Sequence, residues 1–311
     1  MPETASVSPS VRASASSDYS SIEVRPIPGP IGAEIICGDV TKLTPDAARE
    51  VRRAWLENLV LLVRSQALDD AKLLQFAGIF GDLEKAPVTS VGVAETRPDP
   101  YIAIVSNIVV NGVPIGSLGN DEAVWHTDMS HIEAPPAASV LHAREITDRG
   151  GETGFLNMYH ALETLPEDLR RKIDGRTLSH DGSYNSAGVR RRVATSMDHP
   201  MITTHPETGH DVLFLGRRPH ARINGLSQEE SDELLDALWK HATHHGRDAW
   251  HHSWGVGDML IWDNRCCMHH RNAFDANTRR LMHRGQTQGT RPAHDASHKP
   301  GRHPRSLLAL N

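Results

Sequence analysis

From about residue 101 onward the chain breaks into strand-like runs that are short for helices, the first of them, 101–110, apolar and β-branched, and most of them bounded by turn signals. Such runs occupy 101–110, 139–145, 155–158, 212–215, 250–254 and 259–262. Gly112, Pro114, Gly116 and Gly119 punctuate 111–120, and further turns fall at Arg149-Gly150-Gly151, at 206–209 and at 255–258. A strand needs only about five residues, whereas a packed helix usually needs ten or more. Many short strands with few helical patterns between them favour a closed or two-sheet β architecture over alternating β-α units. The predicted fold class is mainly β with flanking helices.

The helical signals are few and well marked. Thr44, Pro45 and Asp46 open one helix, whose apolar stripe is Ala48, Val51 and Trp55. A second begins at Asp69 or Asp70, buries Leu73, Ala77 and Phe80, and stops at Gly81. Ser227 and Glu230 form a capping box for a third, with Leu234, Leu235 and Leu238 on its buried face. A further helix is expected from about Pro166 to Asp174. Residues 1–20 are Ser- and Ala-rich and predict a disordered tail; 21–290 read as one domain; 291–311 read as a loose end.

With 311 residues and 38% hydrophobic content the chain can bury a sizeable core. Its net charge of -6, from 33 basic and 39 acidic residues, argues against general nucleic-acid binding. No apolar run approaches a membrane span, and the best, 59–63, reads as a buried strand. The N-terminus lacks a basic-then-apolar signal pattern. Three cysteines, Cys37, Cys266 and Cys267, argue against a disulfide framework and fit a reducing cytoplasm. Adjacent residues on a strand face opposite ways, so Cys266 and Cys267 do not make a ligand pair.

Against this background 123–130 stands out. Read as a strand, it points His126 and Asp128 to one face. Two histidines and one carboxylate on one face of an ion are a common iron(II) ligand set that leaves open positions. In a chain with 20 histidines a His-x-Asp triplet arises readily by chance, so its weight comes from its surroundings. His269 lies just past the exit of the buried strand 259–262, where it can turn into a barrel mouth and complete the set; His270 competes with it. Farther on, Arg280 and Arg284 share one strand face and require anionic partners if that face is inward.

The order His126-x-Asp128, Gly150-Gly-Glu-Thr153, Trp262-Asp-Asn-Arg-x-x-x-His269 and Arg279-Arg-x-x-His-Arg284 resembles the taurine dioxygenase family, which includes the phenoxyacetate-cleaving dioxygenases. The resemblance runs from about Ile22 to about Gly289 and implies a double-stranded β-helix (jelly-roll) core. It implies an enzyme using Fe(II), 2-oxoglutarate and O2. His126, Asp128 and His269 would bind the metal, the Trp-Asp-Asn-Arg spacing selecting His269 over His270. Arg280, helped by Thr153, would take the distal carboxylate of 2-oxoglutarate, and Arg284 the substrate's sulfonate or carboxylate. The reaction implied is hydroxylation of a small anionic organic substrate, with C–O or C–S cleavage where the hydroxylated carbon bears an ether oxygen or sulfonate. Succinate and CO2 would be released. Asp128 speaks against halogenation, which needs that position free.

The sequence departs from the taurine-specific pattern at Glu122, which aligns with a substrate-contacting asparagine of the taurine enzymes; an acid there puts taurine itself in doubt. Residues 107–119, Tyr184 and Asn185 are the other candidates for the pocket wall, and read otherwise as surface or turn residues. Segment 111–120 reads as a lid or a surface loop, and 181–198, with Arg190, Arg191 and Arg192, as an insertion over the entrance or a solvated loop. His244, His245, His251 and His252 read as surface or strand residues and His205 as structural. Two rivals stand beside the main reading: a biosynthetic hydroxylase or desaturase of an amino-acid-like substrate, and a non-catalytic jelly-roll metal-binding protein. A homo-oligomer is implied by the resemblance alone.

Overall fold

The computed structural model describes residues 19–86, 99–121, 123–191, 193–243, 249–297 and 301–307. Glu122, Arg192, His244, His245 and most of the expected N-terminal tail lie outside them. A nine-stranded sheet runs in the order Glu23–Pro26, Ala33–Ile36, Val60–Val63, Met259–Asp263, Ala138–Glu145, Leu281–Thr287, Ala103–Ser106, Ser117–Leu118, with Leu83–Glu84 added beside Leu281–Thr287. Facing it is a sheet of Trp250–His252, Thr153–Asn157, Cys267–Arg271 and Ala123–His126. Apart from the hairpin Glu23–Pro26 with Ala33–Ile36 and the short Ser117–Leu118 beside Ala103–Ser106, neighbours in both sheets are well separated in sequence, as a jelly-roll core requires.

The period-two pattern divides the large sheet into two faces. Leu61, Val63, Val140, Met259 and Ile261 face one core, whereas Val60, Leu62, Leu141, Leu260 and Trp262 face the other. The first core is roofed by two helices. Pro45–Asn58 starts where the Thr44 side chain accepts from the Ala47 amide, and buries Ala47, Val51, Ala54 and Trp55. Asp70–Ala77 starts where Asp69 accepts from the Lys72 amide, and ends at Gly78, earlier than the predicted Gly81. Phe80 still joins the core, edge-on to Trp55 at 5.2 Å. The second core holds helix Gln228–Ala242, with its predicted capping box. It also holds Met158–Glu163, a helix that the sequence reading missed because Met158 continues the apolar run of the strand before it.

The polar stretch 111–120 is part turn and part sheet. Asn111 and Gly112, at φ 51 and 78, close a hairpin between Val109–Val110 and Val113–Pro114. Ser117–Leu118 then joins the large sheet parallel to Ala103–Ser106. Residues 301–307 differ from the loose end expected after 290. The His303 ring stacks on Tyr159 at 4.5 Å, and the Arg305 guanidinium donates to the carbonyls of Ile27 and Gly32 at 2.8 Å each. A Pro-, His- and Arg-rich segment looks solvated in sequence, but aromatic stacking and backbone acceptors of the N-terminal hairpin hold it.

Candidate active site

His126 is the last residue of its strand and lies directly opposite His269. Asp128 does not continue that strand; it sits in the turn that follows, where Met129 takes φ 52. The shared strand face predicted for His126 and Asp128 is therefore not what brings them together. Asn264 does that work from the turn after Met259–Asp263. Its Oδ1 accepts from the Asp128 amide at 2.8 Å, and its Nδ2 donates to the carbonyls of Asp128 and Pro136 at 3.0 Å each.

The result is a compact donor set. Asp128 Oδ1 lies 3.5 Å from His126 Nε2, and Asp128 Oδ2 lies 3.8 Å from His269 Nε2. One donor atom from each of the three falls within 4.8 Å of the others, a spacing that one metal ion can bridge. His126 Nδ1 donates to the Val124 carbonyl at 2.7 Å, which leaves the Nε2 lone pair facing the centre. Burial works to raise the Asp128 carboxyl, but Arg284, His269 and His126 outweigh it and hold the group far below the usual carboxylate range. Burial, with His126 beside it, pushes His269 well down against the pull of Asp128. A carboxylate and neutral imidazoles are the protonation states that ligation requires. His270 aims its Nε2 at His251 Nε2, 2.8 Å away.

Arg280 lies just ahead of Leu281–Thr287 and is only 2% exposed. Its guanidinium sits 5.8 Å from the Phe274 ring and 6.0 Å from the Trp254 ring, and donates to the Gly151 carbonyl at a long 3.4 Å. Among the described residues no carboxylate ion-pairs with it. Burial, with Arg271 nearby, draws its pKa down to about 9. Thr153 Oγ1 accepts from the Trp254 indole at 3.0 Å, which leaves the hydroxyl hydrogen available to an incoming acceptor. The Gly150-Gly151 turn makes this corner possible: a Cβ on Gly150, at φ +75, would lie 2.5 Å from the Ala273 carbonyl oxygen. Arg284, mid-strand and paired with Leu141 in register, places Nη1 2.8 Å from Asp128 Oδ2.

These groups line one cavity of about 1050 Å³, its open mouth included. Tyr184, Asn185, Ser117 and Leu118 are on its wall, as two of the predicted segments allow, and Arg191 is there as well. Arg217 and Arg271 also line it, and Trp254 and Asn264 support it from behind; the sequence reading singled out none of these four. Only the charge run at 190–192 carried any signal for this part of the wall. His205 is structural, as expected: its Nε2 meets Asp263 Oδ2 at 3.0 Å, and Arg265 grips the same carboxylate at 2.7 and 2.8 Å. The grouping of His205, Asp263 and Cys266 is thus already occupied by a guanidinium. His252, on the strand Trp250–His252, is buried against Asp258 at 3.1 Å.

No helix among the described residues is long and apolar enough to cross a membrane. The donor set and the uncompensated Arg280 fit iron(II) and a dicarboxylic keto-acid respectively. The family model for taurine catabolism dioxygenase TauD, TfdA family, matches residues 23–286. The alpha-ketoglutarate-dependent 2,4-dichlorophenoxyacetate dioxygenase of Burkholderia sp. (strain RASC) is 31% identical over 80% of this chain and 88% of its own. The alpha-ketoglutarate-dependent sulfate ester dioxygenase of Pseudomonas putida is 32% identical over 80% of this chain and 83% of its own. The crystal structure of AAD-2 in complex with Mn(II) and N-oxalylglycine superposes with a TM-score of 0.73 at 28% identity, covering 88% of this chain and all of that one (100%). Fold, site chemistry and sequence therefore agree: the chain belongs to the TauD, TfdA family and is an iron(II)- and 2-oxoglutarate-dependent dioxygenase.

Proposed function

We propose that this enzyme hydroxylates a small anionic organic molecule, an aryloxyalkanoate, sulfate ester or sulfonate, and releases succinate and CO2. His126, Asp128 and His269 hold the metal, Arg280 and Thr153 receive the distal carboxylate of 2-oxoglutarate, and Arg284 holds the acid group of the substrate. The observation that carries the reading is the buried Arg280, with no acidic partner among the described residues, in the same cavity as the His-Asp-His donor set. A buried guanidinium without a counter-charge is costly, and a bound carboxylate removes that cost.

When bound, iron(II) with 2-oxoglutarate and O2 supplies the oxidising step that places one oxygen atom on a substrate carbon. The chain's own residues position the reactants. Asn264 holds the Asp128 backbone, Val124 sets the His126 ring, and Trp254 orients the Thr153 hydroxyl. Where the hydroxylated carbon carries an ether or ester oxygen, the product collapses and the C–O bond breaks.

Among the described residues five arginines line the cavity against two aspartates, Asp128 and Asp181. That balance suits an acid and opposes the ammonium group of an amino acid, so the amino-acid rival is the weaker. Three free cysteines and an iron(II) requirement suit a reducing cytoplasm. Self-association is carried over from the family resemblance and is tested by size-exclusion chromatography with light scattering.

The test is succinate release by anaerobically purified protein given iron(II), ascorbate, 2-oxoglutarate and O2 with a panel of sulfonates, aryloxyalkanoates, sulfate esters and amino acids. Succinate that rises with an acid of the first three classes is the expected result. Stimulation by amino acids alone would overturn the substrate class.

A further inference from the structure

The proposed chemistry employs Arg280 for the cosubstrate and Arg284 for one acid group. Three other guanidiniums line the same cavity: Arg271, whose donors go to the carbonyls of Leu118, Gly119 and Asp121, and Arg191 and Arg217, none of which has a task in it. Arg217 is bridged to His126 through the backbone and spends its donors on the carbonyls of Asn185 at 2.6 Å and Asp181 at 3.5 Å. Arg191 is different. Its backbone is pinned by a hydrogen bond to the Ser183 carbonyl at 2.8 Å, yet its side chain makes no hydrogen bond or ion pair among the described residues. Its Nε is buried and lacks a partner.

The charges that act on Arg191 locate it. Burial weakens its proton affinity most; the charges it then feels are the attraction of Asp128 and the repulsion of Arg284. Arg217 feels Arg191 and Asp181 in turn. His131, beside both arginines, is pushed down to about 4, first by burial and then by Arg191, and adds no charge at neutral pH. Arg284 and Arg191 therefore draw on one carboxylate, Asp128. That carboxylate is committed to the metal in the working enzyme, and Arg280 is matched by 2-oxoglutarate. Asp181 is then the only other acid among the described residues of the lining. A singly charged substrate satisfies Arg284 and leaves Arg191 facing the cavity without a counter-charge, a costly arrangement.

We propose that the prime substrate is a dianion, with Arg284 holding one negative charge and Arg191, backed by Arg217, holding the second. The proposal rests on the assignment of this cavity as the substrate pocket. Two kinds of molecule carry the required chemistry: one with acid groups at two positions, and one with a single doubly ionised group such as a phosphonate.

Calorimetry on the full chain loaded with Mn(II) and N-oxalylglycine, which permits binding without turnover, separates them. The probes are phenoxyacetate, 4-carboxyphenoxyacetate and phenoxymethylphosphonate. At least one dianion should bind about tenfold more tightly than phenoxyacetate, a margin of roughly 1.4 kcal/mol. Arg191→Gln should erase that margin, whereas Arg190→Gln, on the neighbouring exposed residue, should preserve it. Preference for the dicarboxylate puts Arg191 at the far end of the substrate; preference for the phosphonate puts it beside Arg284 on one group. Equal affinity for all three probes, no binding of any, or an equal loss of all three on Arg191→Gln would overturn the proposal. Failure to bind N-oxalylglycine in a Mn(II)-dependent way would instead remove the assignment of the site on which it rests.

Discussion

Arg280 is the residue on which the cosubstrate assignment turns, because its only acceptor among the described residues is one carbonyl at 3.4 Å. Charge-assisted hydrogen bonds contribute about 1.5–3 kcal/mol each. Arg280→Gln should therefore raise the KM for 2-oxoglutarate on the order of tenfold to a hundredfold, with a smaller effect on kcat. Steady-state kinetics with 2-oxoglutarate as the varied reactant measures it, and an unchanged KM would remove Arg280 from the cosubstrate site. Arg284 is not equivalent, although it lies four residues along. It spans Asp128 and the cavity, so its loss disturbs the donor set as well as the substrate.

At the scale of elements, the site depends on two turns that meet. The turn after His126 carries Asp128, and the turn after Met259–Asp263 carries Asn264, which holds the first turn by two hydrogen bonds and the Pro136 carbonyl by a third. Asn264→Ala leaves the buried amide and two buried carbonyls unpaired. Its cost should be roughly 2–4 kcal/mol in urea unfolding, with weaker Mn(II) binding in the same protein. Gly216 supports the turn from the other side, where its carbonyl accepts from the Thr127 amide at 2.9 Å. Its φ is +62, and an added Cβ would lie 2.0 Å from His180 Nδ1. Gly216→Ala should destabilise the fold by roughly 2–4 kcal/mol, and a change within 0.5 kcal/mol by the same measurement would show that His180 can move aside.

For the whole molecule, buried histidines set the acid limit of stability. Burial foremost draws His131 and His270 down to about 4, His180 to about 3 and His303 to about 4. An unfolded histidine takes its proton near pH 6.5. Above that pH these groups are neutral in both states and cost nothing. As the pH falls from 6.5 towards 4, the unfolded chain binds protons that the folded chain refuses, so stability falls. His180, 2% exposed, accounts for roughly 2 kcal/mol between pH 6.5 and 5. The Tm should drop across that interval, and His180→Leu should flatten the drop. Equal slopes for the two proteins would exclude His180 as a source. The carboxylates Asp128 and Asp263, held low by Arg284 and Arg265 against the effect of burial, fail only below about pH 4 and form a separate, more acidic window.

The sequence by itself determined the strand-rich class and the caps at Thr44 and Ser227, narrowed the second helix start to Asp69 or Asp70, and through its family resemblance named the residues that meet at the centre. Apolar alternation, capping chemistry and each short motif, His126-x-Asp128, the run ending at His269 and the pair Arg280 and Arg284, are local and written within a few residues; the resemblance joined the motifs into one site. The sequence missed the helix Met158–Glu163, whose first residue prolongs an apolar strand pattern, and the docked segment around Arg305, whose acceptors lie more than 270 positions away. It also could not show that Asn264 rather than strand alternation delivers Asp128, or that Arg191 alone of its run lines the cavity among the described residues. The tertiary structure decided these because a jelly roll pairs strands from distant parts of the chain. Hydrogen-bond partners and burial are then properties of the pairing, and no local window of residues contains them.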